Sequence, residues 1–409
     1  MRHRAVAVMT GLMALSSACG GQAQEAGRTM VVSDDRELAD LAAAMLPDLA
    51  RRAGMELKAP VRIVRRSRAE LERYLRHKLD EEIPADEARA TVAAYAAFGL
   101  VPDTLDLRAL LLALYTEQVA GFYEPDSTAL FVMDDQPAAS LQGVLIHELV
   151  HAVQDQSVNL DSLTSRELGN DRETAAQAAI EGHATLVMLE YMTEQMRGAR
   201  VDLTKLPDFG KQLRPALEGM RGKFPALAGA PRVIQETLLF PYLEGAGFVQ
   251  AMWSREEGRP PPFGDHLPQS TEQVLERSEE DAPTELVVSV PPGARVVHED
   301  VLGELEVGIL LDARAGEGTG KEGAVGWDGD RYVLFRTAEG ARALAWFSVW
   351  DDAAARDRFV SLLISGLDGF PLPATLRPMT LDGRPGAVLR LGAADGAVAH
   401  VRSTGSGGP

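Results

Sequence analysis

The chain has a single cysteine in 409 residues, which excludes a disulfide framework and any zinc cluster built on thiolates. Positive charge is also scarce: 41 Lys and Arg face 60 Asp and Glu, a net charge of −19. A surface of that sign repels phosphate backbones, so no nucleic-acid partner is expected. No apolar run reaches about eighteen residues, so no segment is expected to span a membrane in the mature protein. What is present is ordinary for a folded chain. A hydrophobic share of 45% and a charged share of 25% rule out wholesale disorder. The length is more than one core usually holds, so two domains are expected.

The lone cysteine has a place. Met1 to Arg4 is a short basic stretch, and Ala5 to Leu15 is an apolar one of signal-peptide length. Leu15-Ser16-Ser17-Ala18-Cys19-Gly20 then resembles a bacterial lipobox, with Ser16 where Leu is usual. The resemblance implies an exported chain, acylated at Cys19 and held in the periplasm or on the membrane. Such contact with a membrane is through a lipid anchor only, with residues 1–19 as the signal and 20–33 as a tether.

Apolar spacing predicts helices over Asp34–Arg52, Ser67–Leu79, Pro84–Phe98 and Leu105–Val119, with a strand at Val61–Val64. Ala120–Tyr123 and Ala129–Met133 flank the turn-rich Glu124–Thr128 and read as a hairpin. Helical patterns run to about Met196, and helix and loop to about Asp281. After Pro283 the character changes. Leu286–Val290, Leu305–Leu311, Tyr332–Phe335, Leu344–Trp350 and Ala387–Leu391 are short β-type runs, with one helix at Asp352–Leu363. The expected class is α+β: a mainly helical domain with a small sheet over 34–283, then a smaller α+β domain over 284–402. A disordered Gly/Ser tail is expected at 403–409.

The chemistry concentrates at His147-Glu148-Leu149-Val150-His151. Residues four apart share a helix face, so both imidazoles can reach one zinc, with Glu148 placed to hold a water beside it. Chance matches to this motif number roughly 0.02 per chain of this composition. Val144-Leu145-Ile146 before it, and Leu149, Val150, Ala152 and Val153 within and after it, make the helix apolar on nearly every side. Such a helix is buried, and buried His and Glu groups need a compensating cation.

A catalytic zinc needs a third protein ligand. Gln154 and Ser157 stand where a longer three-histidine motif would place Gly and His, so the ligand is sought further on, along the helix from about Asp171 to Met196. Asn170 and Glu173 fit a capping box at its start, while Glu190 and Glu194 lie near its amphipathic end. Glu181 instead interrupts an apolar run, Ala175–Ile180 before it and Ala184–Leu189 after it, and Gly182 beside it would admit a second helix closely. His183 is the rival, turned about 200° round the helix from Glu181.

His147–His151 followed by Glu181-Gly182-His183-Ala184 resembles the gluzincin metallopeptidases, some of which take the third ligand from a Glu-Gly-x-Ala segment. More of the chain is similar to an uncharacterised family of exported bacterial HExxH proteins. The matching pieces are Val119–Tyr123, His147–Gln156, Phe240-Pro241-Tyr242 with Gly245 and Phe248, Ser270–Leu275, Gly326–Asp330 and Val349–Asp351. The chain departs from that pattern at Glu276-Arg277, where His-Pro is usual, and at His183, where an acid is. The resemblance implies a zincin-like fold for 34–283, zinc on His147, His151 and Glu181, and peptide-bond hydrolysis with Glu148 as general base. Tyr242 is the first candidate for an oxyanion donor and His266 the second. Leu130–Met133 reads as an edge strand that pairs with an extended peptide or, equally, as ordinary sheet structure, and Gln154 and Asp155 are the candidates to orient a ligand histidine. Ser270 with Gln273 reads as a capping box. Gly326–Asp330 reads as a β-turn beside a packed Trp, since it lacks the spaced carboxylates of a calcium loop.

Two function classes follow. One is a zinc peptidase of the cell envelope acting on a peptide or protein substrate. The other is a protease-shaped binding scaffold that holds zinc without turnover. Glu148 favours the first, because a mere zinc-holder does not need that carboxylate.

Overall fold

Capping residues set the starts of the early helices. In the computed structural model, which describes residues 29–164, 169–208, 210, 214–215 and 224–402, Asp35 accepts the Glu37 and Leu38 amides to open α1 (Arg36–Arg52). Ser67 and Glu70 form a reciprocal box at the start of α2 (Arg68–Glu82). α3 (Ala85–Phe98) stops at Gly99, which takes the left-handed φ of 72° that terminates helices cheaply only in glycine. α4 (Leu107–Gln118) follows. Cys19 and residues 403–409 lie outside the described residues.

Four short strands form the first sheet: β1 (Val31–Val32), β2 (Val61–Arg66), β3 (Gly121–Glu124) and β4 (Ala129–Met133), in the order β1-β2-β4-β3. β1, β2 and β4 run parallel, and β3 returns antiparallel to β4. Two expectations change here. Val31 and Val32 belong to the sheet, so a tether reaches less far than residue 33. Leu130–Met133 is not an edge: β4 pairs on both sides, and β3 takes the edge position. A hairpin pattern shows that two strands pair but not which of them a third strand covers.

Three long helices stack outward from this sheet: the first packs on β3 and β4, the second on the first, and the third on the second. They are α5 (Ala138–Asp155), α6 (Asn170–Arg197) and α7 (Arg232–Arg255). α6 is buried almost continuously from Asp171 to Met188, as befits a helix with little polar surface. The short α8 (Thr271–Glu276) follows; Ser270 caps it by accepting the Gln273 amide, while the Gln273 side chain turns to the Gln269 amide instead of closing the box.

Beyond Pro283 lies a five-stranded antiparallel sheet of β6 (Arg295–Asp300), β7 (Trp327–Arg336), β8 (Arg342–Trp350), β9 (Ala374–Leu381) and β10 (Arg384–Gly392), ordered β6-β7-β8-β10-β9. β5 (Leu286–Ser289) and β11 (Val398–Val401) make a separate pair. α9 (Gly303–Ala315) and α10 (Ala353–Ile364) complete this half. Leu305–Leu311, expected as strand, is therefore helix: Glu306, Val307, Leu310 and Leu311 are buried at helical spacing. Gly326 turns with φ 80°, and Trp327 already begins β7.

The largest apolar core crosses residue 283. It joins Phe98, Leu111 and Val233 of the first half to Leu310, Trp346, Trp350 and Phe359 of the second. A second core, whose buried residues all precede residue 283 and against which Leu305 of α9 packs, holds α1, the first sheet and the α5–α6–α7 packing. Among the described residues no helix is long and apolar enough to cross a membrane.

Candidate metal centre

α5 is buried on every side around its motif. Val144, Leu145, Ile146, Leu149, Val150, Ala152 and Val153 expose nothing to solvent, so His147 and His151 are held inside the molecule. α6 crosses beside them with Glu181. The three side chains converge: His147 Nε2 lies 3.0 Å from Glu181 Oε2, His151 Nε2 lies 3.4 Å from the same oxygen, and the two Nε2 atoms are 3.0 Å apart.

Hydrogen bonds behind His151 decide its protonation. Gln154 Nε2 donates to the Ile180 carbonyl at 3.0 Å, which can only accept, so the amide cannot be flipped. Gln154 Oε1 therefore faces His151 Nδ1 at 2.7 Å, and that nitrogen must be the donor. In the neutral ring the Nε2 lone pair is then bare and points at Glu181 and His147. A proton on His147 Nε2 would give this cluster one hydrogen bond, whereas a metal ion would meet all three atoms at once. A tetrahedral zinc with bonds of about 2.0–2.1 Å sets its ligands about 3.3 Å apart. The donor set fits a metal ion, and these residues are a His/His/Glu group able to hold one.

The two carboxyls of the site differ in their electrostatics. Burial alone would raise Glu181, but the adjacent His151 and His147 rings override it and hold the carboxyl down at about 2. Burial pushes Glu148 up to about 8, and Glu181 adds to the rise. Glu148 exposes nothing to solvent, and neither of its carboxylate oxygens has a hydrogen-bond partner. Burial lowers His147, whereas in His151 the Glu181 charge overcomes burial and raises the ring.

Helix packing brings Tyr242 to the same place. A Cβ on Gly182 would lie 2.1 Å from the Gly245 backbone, and one on Gly245 would lie 2.1 Å from the Ala178 carbonyl. The α6–α7 crossing is thus glycine against backbone, as the position of Gly182 in the sequence suggested. It seats Tyr242 beside His147 with ring centroids 6.1 Å apart, and burial together with Glu181 keeps its hydroxyl protonated. A cavity of about 560 Å³ is lined by Glu181, Gln177 and Tyr242 from the first half and by Asp300, Arg331 and Tyr332 from the second.

Other sequence candidates fall elsewhere. His183 is not in the cluster: it accepts from Gln154 at Nδ1, packs edge-on to Trp253 and Phe263, and is kept neutral by burial, its pKa pushed down to about 3. His266 pairs with Glu256 and Glu279 on a different surface. Asp155 touches neither ligand histidine, because it accepts the Tyr123 hydroxyl at 2.9 Å and so ties α5 to β3. Asn170 and Glu173 form no capping box. The Asn170 amide N–H is instead met by Asp300, from 130 residues further on. Glu190 and Glu194 pair with Arg259 and Arg52.

Two groups at the centre went unassigned in the sequence. Gln177 donates to Glu181 Oε1 at 2.9 Å, leaving Oε2 to face the histidines. Its place four residues before Glu181, on the same helix face, was the available signal. The Tyr123 backbone N–H, on edge strand β3, favours the charged form of Glu148 slightly without meeting the geometry of a hydrogen bond. That contact had no local signature.

A family model described as a domain of unknown function, DUF8575, matches residues 291–370, downstream of every residue in the cluster. No curated protein and no solved structure matches the chain.

Proposed function

We propose that the chain is a gluzincin-type zinc metallopeptidase of the cell envelope, exported and lipid-anchored through Cys19, that hydrolyses peptide bonds. The observation that carries this reading is Glu148: a fully buried carboxylate with both oxygens unpartnered, beside a His147–His151–Glu181 triad that fits a metal. A structural zinc-holder has no use for such a group. The anchor and the export rest on the pattern around Cys19 alone.

Zinc held by His147, His151 and Glu181 would acidify a neighbouring water and polarise the scissile carbonyl. Glu148 accepts the water's proton and returns it to the leaving amine. Tyr242, protonated, donates its hydroxyl to the developing oxyanion. Gln154 and Gln177 keep His151 and Glu181 in the orientation the metal needs. β3, the edge strand at Glu148, is the strand placed to pair with an extended peptide.

The test is Glu148→Gln. The amide has nearly the same shape and is not a ligand, so zinc content should stay at the wild-type level. Hydrolysis of an unstructured protein such as casein should fall by at least about 100-fold, because an amide cannot take the proton. A variant that cleaves as fast as wild type removes Glu148 from the mechanism. A wild type that binds zinc and cleaves nothing leaves the scaffold reading in its place.

A further inference from the structure

α8, the loop that follows it and the turn after β8 bring acids from both halves of the chain together. Glu272 on α8 is only 1% exposed, and neither of its carboxylate oxygens has a hydrogen-bond partner. One oxygen each of Glu272, Asp281 and Asp351 lies within 4.8 Å of the other two. Glu276 and Glu304 stand close enough to add their charge, and Glu304 has a buried, unpartnered oxygen of its own. Among the described residues no Lys or Arg forms an ion pair with any of these five.

The backbone holds this arrangement in place. Gln273 donates to the Glu279 and Asp281 carbonyls at 2.9 and 2.6 Å, which fixes the loop that carries Asp281. The Asp351 amide donates to the Gly326 carbonyl at 3.0 Å. A Cβ on Gly326 would approach Ala355 Cβ to 2.9 Å, so the turn that seats Asp351 requires glycine. Ser270–Leu275, Gly326–Asp330 and Val349–Asp351, which the His/His/Glu centre does not use, therefore converge on one spot.

Burial pushes Glu272 up to about 10, with Glu304, Asp351, Glu276 and Asp281 adding to the rise. Such a group takes either a proton or a cation. Two of the three converging acids are exposed, which leaves room for water ligands. Oxygen donors with no nitrogen or sulfur suit a hard divalent ion. Calcium, with ligands at about 2.3–2.6 Å in flexible geometry, accepts oxygens up to about 5 Å apart across the ion, whereas magnesium demands a tighter octahedron. We propose that Glu272, Asp281 and Asp351 bind one calcium ion, which ties the halves before and after residue 283 together.

The test uses the full chain stripped with EDTA and titrated with CaCl2 by calorimetry and thermal unfolding. One calcium per chain and a rise in Tm are expected. Glu272→Gln and Asp351→Asn should each weaken calcium binding roughly tenfold or more. Glu272→Gln should also melt higher than wild type without calcium and lower with it, since it removes both the repulsion and the ligand. Glu181→Ala should bind calcium normally, which separates this site from the histidine centre. Absence of binding at millimolar calcium overturns the proposal and leaves Glu272 neutralised by a proton. Unchanged binding in both seam variants, or an equal Tm rise from magnesium, overturns it as well.

Discussion

Gln154 determines which nitrogen of His151 is free. Its amide is locked by the Ile180 carbonyl, so Oε1 can only accept from His151 Nδ1 and the Nε2 lone pair is aimed inward. Gln154→Leu removes that acceptor while keeping the volume. Zinc affinity should fall about 10- to 100-fold, the usual loss for a partner of a metal-bound histidine. Competition with a chelating dye reads this directly, and an unchanged Kd would mean that the network does not orient the ring. At this scale much was legible. Four-residue spacing placed both histidines on one face, and Glu181 stood out as a lone charge in an apolar run. Asp155 was not legible, because its partner is the Tyr123 hydroxyl, 32 residues earlier in the chain.

The α6–α7 crossing sets the distance between Glu181 and Tyr242. Gly182→Ala would put a methyl 2.1 Å from the Gly245 backbone, where no side-chain rotation can relieve it. The helices must move apart at a cost of about 1–3 kcal/mol, and Tyr242 should withdraw from Glu181. A lower Tm with reduced hydrolysis is expected. Gly229→Ala, which meets nothing within 4 Å, should show neither effect and serves as the control. Equal Tm values for the two variants would contradict the close packing. Most elements were visible as periodicity, with two instructive exceptions. Leu305–Leu311 offers alternation and helical spacing at once, and the choice is made by distant Asp330, which accepts the Leu302 and Gly303 amides at 3.0 Å each and so fixes the start of α9. β4 lost the edge position because sheet order depends on β2, which lies some 65 residues earlier along the chain.

Across the whole molecule the two halves are joined by hydrogen bonds at helix starts. Asp300 of the second half meets the start of α6 in the first. Asp171 in α6 accepts the Thr271 amide and hydroxyl at 3.0 and 2.5 Å, and the Thr271 hydroxyl oxygen accepts the Leu305 amide of α9 at 3.2 Å. Burial raises Asp171 to about 7 from an ordinary 3.8, more than the Thr271 hydrogen bonds lower it. A carboxyl raised on folding binds its proton more tightly in the folded state, so its linkage costs stability as pH climbs between those two values. Wild type should therefore lose ground relative to Asp171→Asn as pH rises from about 4 to about 7, with no further change above. Urea unfolding of both proteins at pH 5 and pH 8 measures the gap. A gap that stays constant, or grows in favour of wild type, contradicts the buried, proton-linked seam. The change of character near residue 283 was plain in composition, yet the apolar core that crosses it was not, since a core is shared among residues far apart in sequence.

Zinc content tests the centre itself most directly. Metal analysis of purified wild type, Glu181→Ala and His183→Ala, prepared without chelator and supplied with zinc, should give about one zinc in wild type and His183→Ala. Glu181→Ala, left with two histidines, should retain well under half of that after dialysis. Full zinc in Glu181→Ala together with its loss in His183→Ala would contradict the His147–His151–Glu181 centre.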